Sequence, residues 1–232
     1  MIGILIPSRL RRPTLTRTLL SLVECGDPLD FDVVVLADDD PETAEMAARW
    51  SGNFGRYTVL QTKRLYAVKA FNAAFQSLAP ETELFAWLAD DIMVNENFAQ
   101  YLDGEFWTTF PDGIGVLSLL EGVGAGLAAT TTSFLEYNED SFYHEGYVFH
   151  YADVELTHRA MMMGCFSWPD KDMIRHDKTI DSAYPNIDPA RSYDIRLRDK
   201  RLFRSRRKTK FGLPKEKIKY TEPITEFRKV VI

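Results

Sequence analysis

The chain has 232 residues, 45% of them hydrophobic and 27% charged, the balance of a globular protein with a sizeable core rather than a disordered or fibrous one. No run of about 18 uncharged apolar residues occurs, which argues against a membrane-spanning helix, and "MIGILIPSRLRR" carries its charges after a short apolar run, the reverse of a secretory leader. The net charge of −6 conceals an asymmetry: residues 191–232 hold 15 Lys and Arg against 5 Asp and Glu, so a basic end of +10 hangs from an acidic body of −16. Acidic bodies repel polyanions unless cations sit on their carboxylates, whereas a basic end attracts phosphates. Cys25 and Cys165 match no metal spacing and read as buried thiols in a reducing cytosol, so a cytoplasmic location is expected.

In chain order, "IGILIPS" is a continuous apolar run ended by Pro7 and Ser8, the pattern of a strand buried on both faces. "TLTRTLLSLVECG" repeats Leu15, Leu19 and Leu22 at helical spacing, with Thr14 as candidate cap and Gly26 as stop. "FDVVVLADDD" is a second buried strand, and "PETAEMAARW" a helix with Pro41 and acidic residues at its start. "YTVLQT", "AVKAFNAAFQSLA" and "LFAWLADDIMV" then read as strand, helix and strand. This alternation predicts an α/β fold with a mostly parallel central sheet flanked by helices.

After residue 100 the pattern loosens. "IGVLSLL" is a strand, "EGVGAGLAATTT" a small, Gly-rich flexible segment, and "YADVELTHRAMMMG" a helix ended by Gly164. Past residue 185 there is no core pattern, and "RLRDKRLFRSRRKTK" fits a surface helix or a mobile tail equally. The expected organisation is a domain over 1–185, divided into halves at 100 and 101, with an irregular basic C-terminal extension over 186–232.

Twice a buried strand ends in clustered carboxylates, at Asp38, Asp39 and Asp40 and at Asp90 and Asp91. In open parallel sheets ligands bind beyond the carboxyl ends of strands. Adjacent desolvated carboxylates cost several kcal/mol each unless neutralised, and hard oxygen ligands suit Mg²⁺ or Mn²⁺. The competing reading is that the strands simply end at the surface, where Asp is common in turns; two clusters in one α/β pattern weaken it.

The order of these segments resembles a GT-A-fold glycosyltransferase of the family 2-like group. "ILIPSRLRRPTLTRTLLSL" is similar to that family's first strand and helix, "VVVLADDDPET" to the second strand with its Asp pair, and "AVKAFNAAF" to the helix carrying Asn. "WLADDIMV" stands where the family has its metal-binding Asp-X-Asp, and "YADVELTHRAMMMG" where it has the segment bearing the catalytic base. The resemblance covers roughly residues 1–180. It departs where Leu88 takes the place of the first Asp of Asp-X-Asp, Ala152 that of the leading Glu, and Phe71 that of an Arg, with Lys69 nearby as a replacement.

The resemblance implies a nucleotide pocket of Pro7, Ser8, Arg9, Asp38, Asp39, Lys69, Asn72 and Asp90, and a Mn²⁺ or Mg²⁺ ion held by Asp90, Asp91 and His176, the main ligand of the pair being open. It also implies Asp153 as the base that deprotonates an acceptor hydroxyl, kept ionised by its helix N-terminus, with Glu155 as the alternative. Arg11 and Arg12 read as solvated, His158 as helix surface, and His144 and His150 as acceptor-side residues. Arg159 reads as fixing the loop before the helix, and Trp168 as core or a sugar-stacking ring. The implied function is metal-dependent, inverting transfer of a sugar from a nucleotide-diphospho-sugar to a glycan or a modified DNA base, the basic end holding the acceptor. Two other readings stay open: a haloacid-dehalogenase-like phosphatase, which "VVVLADDD" approximates, and a non-catalytic nucleic-acid-binding protein. Donor sugar, acceptor and oligomeric state are not legible.

Overall fold

A computed structural model describes residues 1–25, 27–138, 142–176 and 192–220. Four parallel strands build one side of the main sheet: β1 (Ile2–Ser8), β2 (Phe31–Asp38), β3 (Arg56–Thr62) and β4 (Leu84–Trp87). β5 (Ile92–Val94) leaves that sheet, β6 (Val116–Ser118), β7 (Ala128–Thr131) and β8 (Phe166–Ser167) extend it, and β9 (Ile174–His176) pairs with β5. The seven-stranded order is β3-β2-β1-β4-β7-β6-β8, with β7 antiparallel to both its neighbours. The helices are α1 (Arg12–Glu24), α2 (Pro41–Ala48), α3 (Tyr66–Phe75), α4 (Phe98–Thr109), α5 (Thr132–Tyr137), α6 (Ala152–Met163) and α7 (Tyr193–Lys208).

The alternation of side chains along a strand explains the layers. Ile2, Ile4 and Ile6 of β1 join Val33 and Val35 of β2 in a core with Leu15, Leu19 and Leu22 of α1. Leu5, Val34 and Leu36 face the other way, into a second core with Val68, Ala70 and Ala74 of α3. A strand with helices on both faces must be apolar at every position, as "IGILI" and "VVVL" are.

The α/β sheet flanked by helices is as expected, with four local corrections. The stretch read as one strand over residues 84–94 is two: Leu88 still donates its N–H to the Leu5 carbonyl, and the chain then turns through Ala89, Asp90 and Asp91 to start β5. Helix α4 was not anticipated; it is short, and Phe98, Leu102 and Phe106 form its buried stripe. The Gly-rich segment ends in strand β7, whose four residues are all buried. Thr14 does not cap α1, which starts at Arg12 with Pro13 in its first turn; Gly26 lies outside the described residues. Of the basic extension, residues 193–208 form α7, and the 185/186 boundary lies outside the described residues. Among the described residues no helix is long and apolar enough to cross a membrane.

Candidate active site at the carboxyl ends of the strands

β1, β2 and β4 run in parallel, so their carboxyl ends share one edge of the sheet. There the two acidic clusters converge with the loop after β1. Asp90 and Asp91 are nearly buried, and neighbours on the first loop answer their charge. Ser8 donates its hydroxyl to Asp90 Oδ2 at 2.6 Å. Arg11 reaches Asp90 Oδ1 with Nη1 at 3.0 Å and Asp91 Oδ2 with Nη2 at 2.5 Å. The expectation of a solvated Arg11 is therefore corrected: its side chain is only 21% exposed because the buried carboxylates require a counter-charge. Arg12 does lie at the surface, paired with Glu42 at 2.6 Å between two exposed side chains.

The three carboxylates after β2 have separate tasks. Asp38 accepts hydrogen bonds from Arg64 and from the N–H groups of Leu65 (2.5 Å) and Tyr66 (3.1 Å), fixing the loop into α3. Asp40 caps α2 through Thr43 and receives the Leu10 N–H at 2.7 Å. Burial pushes its carboxyl up, but those hydrogen bonds, with Arg12 nearby, hold it below the usual range. Asp39 is left projecting, its side chain 57% exposed, with Arg9 3.9 Å away. Arg64, which locks Asp38 and lies 4.3 Å over the Tyr66 ring, escaped sequence reading because no spacing ties it to Asp38.

His176 arrives by pairing of short strands. β5 and β9 register Ile92 against His176, so the imidazole comes beside the residue preceding Ile92, with Nε2 3.4 Å from Asp91 Oδ2. Asp91 Oδ1, His176 Nδ1, Arg9 Nε and Thr62 Oγ1 are buried side-chain atoms without a hydrogen-bond partner among the described residues. Such atoms call for an explanation, and four around one edge fit a polar or ionic ligand there. Among the described residues no three His, Cys, Asp or Glu side chains cluster as a complete metal cage. Asp91 and His176 alone fit the two-ligand arrangement in which Mg²⁺ or Mn²⁺ takes its remaining oxygens from a bound phosphate. Asp90, whose two oxygens are engaged by Ser8 and Arg11, is the less available of the pair.

The backbone around this edge is unusual as well. Leu10, Asp39, Tyr66 and Tyr151 all adopt left-handed φ values, from 56° to 70°, at the junctions that lead out of β1 and β2 and into α3 and α6. For non-glycine residues that conformation costs on the order of 1–3 kcal/mol, and it persists only where surrounding contacts dictate it.

Asp153 opens α6 and remains partly exposed. Burial raises its carboxyl above the ordinary range, against the pull of its own N–H and that of Val154. Burial thus outweighs those two N–H groups. Glu155 is no alternative base. It is 2% exposed, accepts the Tyr147 hydroxyl at 2.7 Å, and is gripped by both Nε and Nη2 of Arg206 at 2.7–3.0 Å.

The Gly-rich segment packs against this helix rather than forming a free loop. A side chain on Gly124 would start 2.5 Å from Thr157 Oγ1, and one on Gly126 would start 3.3 Å from Asp153 Oδ2. Between them the Ala125 carbonyl accepts from Trp87 Nε1 (2.9 Å) and the Tyr143 hydroxyl (2.8 Å), which ties the end of β4 to the Gly-rich segment.

α7 completes the arrangement. Asp199, fully buried, accepts the successive N–H groups of Val148, Phe149 and His150, at 2.9–3.3 Å, and so shapes the loop leading to Asp153. Arg159 donates to the Asn138 side chain at 2.9 Å and to the Asn138 and Phe211 carbonyls, each at 3.4 Å, contacts at the end of α5 and beyond α7 rather than in the loop before α6. His158 is corrected from surface to core: it lies between Phe203 and Phe211, and burial lowers its pKa to about 4. His144 is half-buried, its pKa likewise lowered by burial and by Arg206.

Other expected residues are less engaged. Pro7 lines β1 opposite Leu36, and Lys69 is exposed on α3. Asn72 uses its amide to grip the Tyr143 peptide, accepting from N at 3.1 Å and donating to O at 2.9 Å, so it organises a loop. Trp168 donates to the Val123 carbonyl at 2.9 Å. A groove of about 780 Å³ lies at the opposite end of the sheet, among Ile2, Asp27, Asp30 and Asn97, and none of the candidate residues line it.

The sequence profile of glycosyl transferase family 2 matches residues 3–168. The chain belongs to that family. No curated protein matches it. Among solved structures this family 2 member resembles S. aureus TarS, with a TM-score of 0.61 and 17% identity over 79% of this chain and 38% of that one. TarS 1–349 in complex with UDP-GlcNAc gives 0.60 and 19%, covering 85% of this chain and 65% of that one. The mannosyltransferase PcManGT from Pyrobaculum calidifontis, in complex with GDP-Man and Mn²⁺, gives 0.59 and 18%, over 73% of this chain and 55% of that one. At such identities the likeness speaks to the GT-A fold, and the chain spans less than two thirds of these proteins' lengths.

Proposed function

We propose that this protein transfers a sugar from a nucleotide-diphospho-sugar to an acceptor hydroxyl with inversion, using a divalent cation. The observation that carries the reading is the convergence of Ser8, Arg11, Asp90, Asp91 and His176 at one sheet edge, with a buried Asp91 oxygen left unpaired among the described residues. Asp39 and Arg9 border that edge and suit the hydroxyls and phosphates of a nucleotide. Mn²⁺ or Mg²⁺ bound to Asp91 and His176 would supply Lewis-acid neutralisation of the diphosphate leaving group. Asp153 takes the proton from the attacking hydroxyl, and its raised pKa suits a general base better than an ordinary surface carboxylate would.

The acceptor is an anionic polymer, a glycan or DNA. Arg201, Arg204 and Lys208 are exposed on α7 on the side away from its buried Asp199 and Phe203, Arg196 and Arg207 are exposed on its flanks, and the same helix shapes the loop before Asp153. The phosphatase alternative is set aside. Asp38, the nucleophile it requires, accepts three hydrogen bonds within the protein, and family membership points elsewhere.

Thermal denaturation against UDP-, GDP-, CMP- and dTDP-sugars, with and without Mn²⁺, tests the donor class, since a ligand of the folded state raises Tm. One nucleotide sugar is expected to stabilise the protein in a Mn²⁺-assisted manner. Asp153→Asn is expected to retain that shift while turnover falls by about 10²–10⁴-fold, the usual worth of a general base. Normal turnover by this variant would refute the base assignment.

A further inference from the structure

Two adjacent, nearly buried carboxylates should be unstable together, yet Asp90 and Asp91 lie side by side with side chains 6% and 7% exposed. Part of their charge is offset in the protein by itself by Arg11, whose planar guanidinium bridges one oxygen of each at 3.0 and 2.5 Å. The Asp91 oxygen that Arg11 holds is the one His176 approaches at 3.4 Å, while the other Asp91 oxygen has no hydrogen-bond partner among the described residues. A cation entering between Asp91 and His176 therefore meets a positive group already in place. Leu10, in a left-handed conformation and 53% exposed, immediately precedes Arg11, so the bridge hangs from a turn at the surface.

We propose that Arg11 is the resident counter-ion of the Asp90–Asp91 pair and competes with the divalent metal for Asp91. It offsets one of the two negative charges of the empty site and helps to keep it folded, and it holds metal affinity low until the donor's diphosphate offers the guanidinium another anion. This rests on the reading above that Asp91 takes up a cation. Arg11 is then a positioning residue whose loss strengthens metal binding, the reverse of what removal of a ligand does.

The test is titration of the full chain with Mn²⁺ alone, followed by calorimetry and by the Mn²⁺ paramagnetic signal, for the wild type, Arg11→Met and Arg11→Lys. Arg11→Met is expected to bind Mn²⁺ at least about tenfold more tightly than wild type, and Arg11→Lys to fall between them, because one point charge bridges the pair less well. Without metal Arg11→Met should melt several degrees lower, with Mn²⁺ restoring the loss, while the same Mn²⁺ moves the wild type little. The gain in affinity should vanish in Arg11→Met/Asp91→Asn. Equal Mn²⁺ affinity in wild type and Arg11→Met overturns the competition while leaving the metal site standing. No Mn²⁺ binding by either, even with saturating nucleoside diphosphate, overturns both. Should Arg11→Met fail to fold, an Arg11→Lys affinity no higher than wild type is equally decisive against the proposal.

Discussion

The two halves of this molecule hold their acidic residues in different ways. In residues 1–100 the carboxylates stand at the tips of regular parallel strands, and their partners come from loops at the same sheet edge, such as Ser8, Arg11 and Arg64. In the later half the strands have two to four residues, β7 runs against its neighbours, and the acidic groups are locked from outside the sheet. Glu155 is held by Arg206 and Asp199 holds the loop over residues 148–150, each contact spanning about fifty residues of chain. Backbone regularity delivers the first site, whereas tertiary contacts with α7 assemble the second. The basic helix is thus a structural strap on its inner face as well as a cationic surface on its outer one.

That contrast can be broken most forcefully at Glu155. Glu155→Ala leaves the half-buried Arg206 without this carboxylate and removes the buried acceptor of the Tyr147 hydroxyl, so unfolding free energy is expected to fall by about 3–5 kcal/mol in denaturant titrations. Asp199→Asn removes the charge that three N–H groups point at, and a loss of about 1–3 kcal/mol is expected. With it, turnover should drop while donor affinity stays unchanged. Equal damage to donor affinity would mean that the two halves are not separable in this way.

A smaller effect should appear with pH. His158 is buried neutral with its pKa lowered to about 4 from 6.5, so between those values the unfolded chain binds the extra proton. Its contribution is complete above pH 6.5 and is lost as pH falls toward 4. His158→Gln should flatten the stability profile in that window. An unchanged profile would place His158 outside the packed core. Smallest of all, Arg12→Ala breaks an ion pair between side chains 50% and 68% exposed, and a change within about 0.5 kcal/mol is expected. Arg11 and Arg12 are neighbours in sequence, so that difference isolates burial as the cause.

How much of this was legible in advance follows the same division. Continuous apolar runs and their terminal Asp residues were readable because they obey the local period of a strand between helix layers. So was α6, with Gly164 in the left-handed conformation that ends it. The break at Ala89–Asp91 was not, since "LFAWLADDIMV" is apolar on both sides of it and only pairing with β9 distinguishes them. The burial of β7 was hidden because "AATT" has small, weakly apolar side chains, which fit close packing without announcing it. His158 gave no sign of being core because its neighbours Phe203 and Phe211 lie far along the chain.

Taken by itself, then, the amino-acid order determined the α/β layering, the acidic strand tips and the helix that carries Asp153, all of them consequences of periodicity within a few residues. Tertiary structure alone decided that Arg11 bridges Asp90 and Asp91, that His176 reaches Asp91, and that Asp199 and Arg206 hold α6 and the loop before it. The physical reason is that charge pairing depends on distance in space. These partners are separated by about fifty to eighty positions along the chain, where no local pattern records which charge meets which.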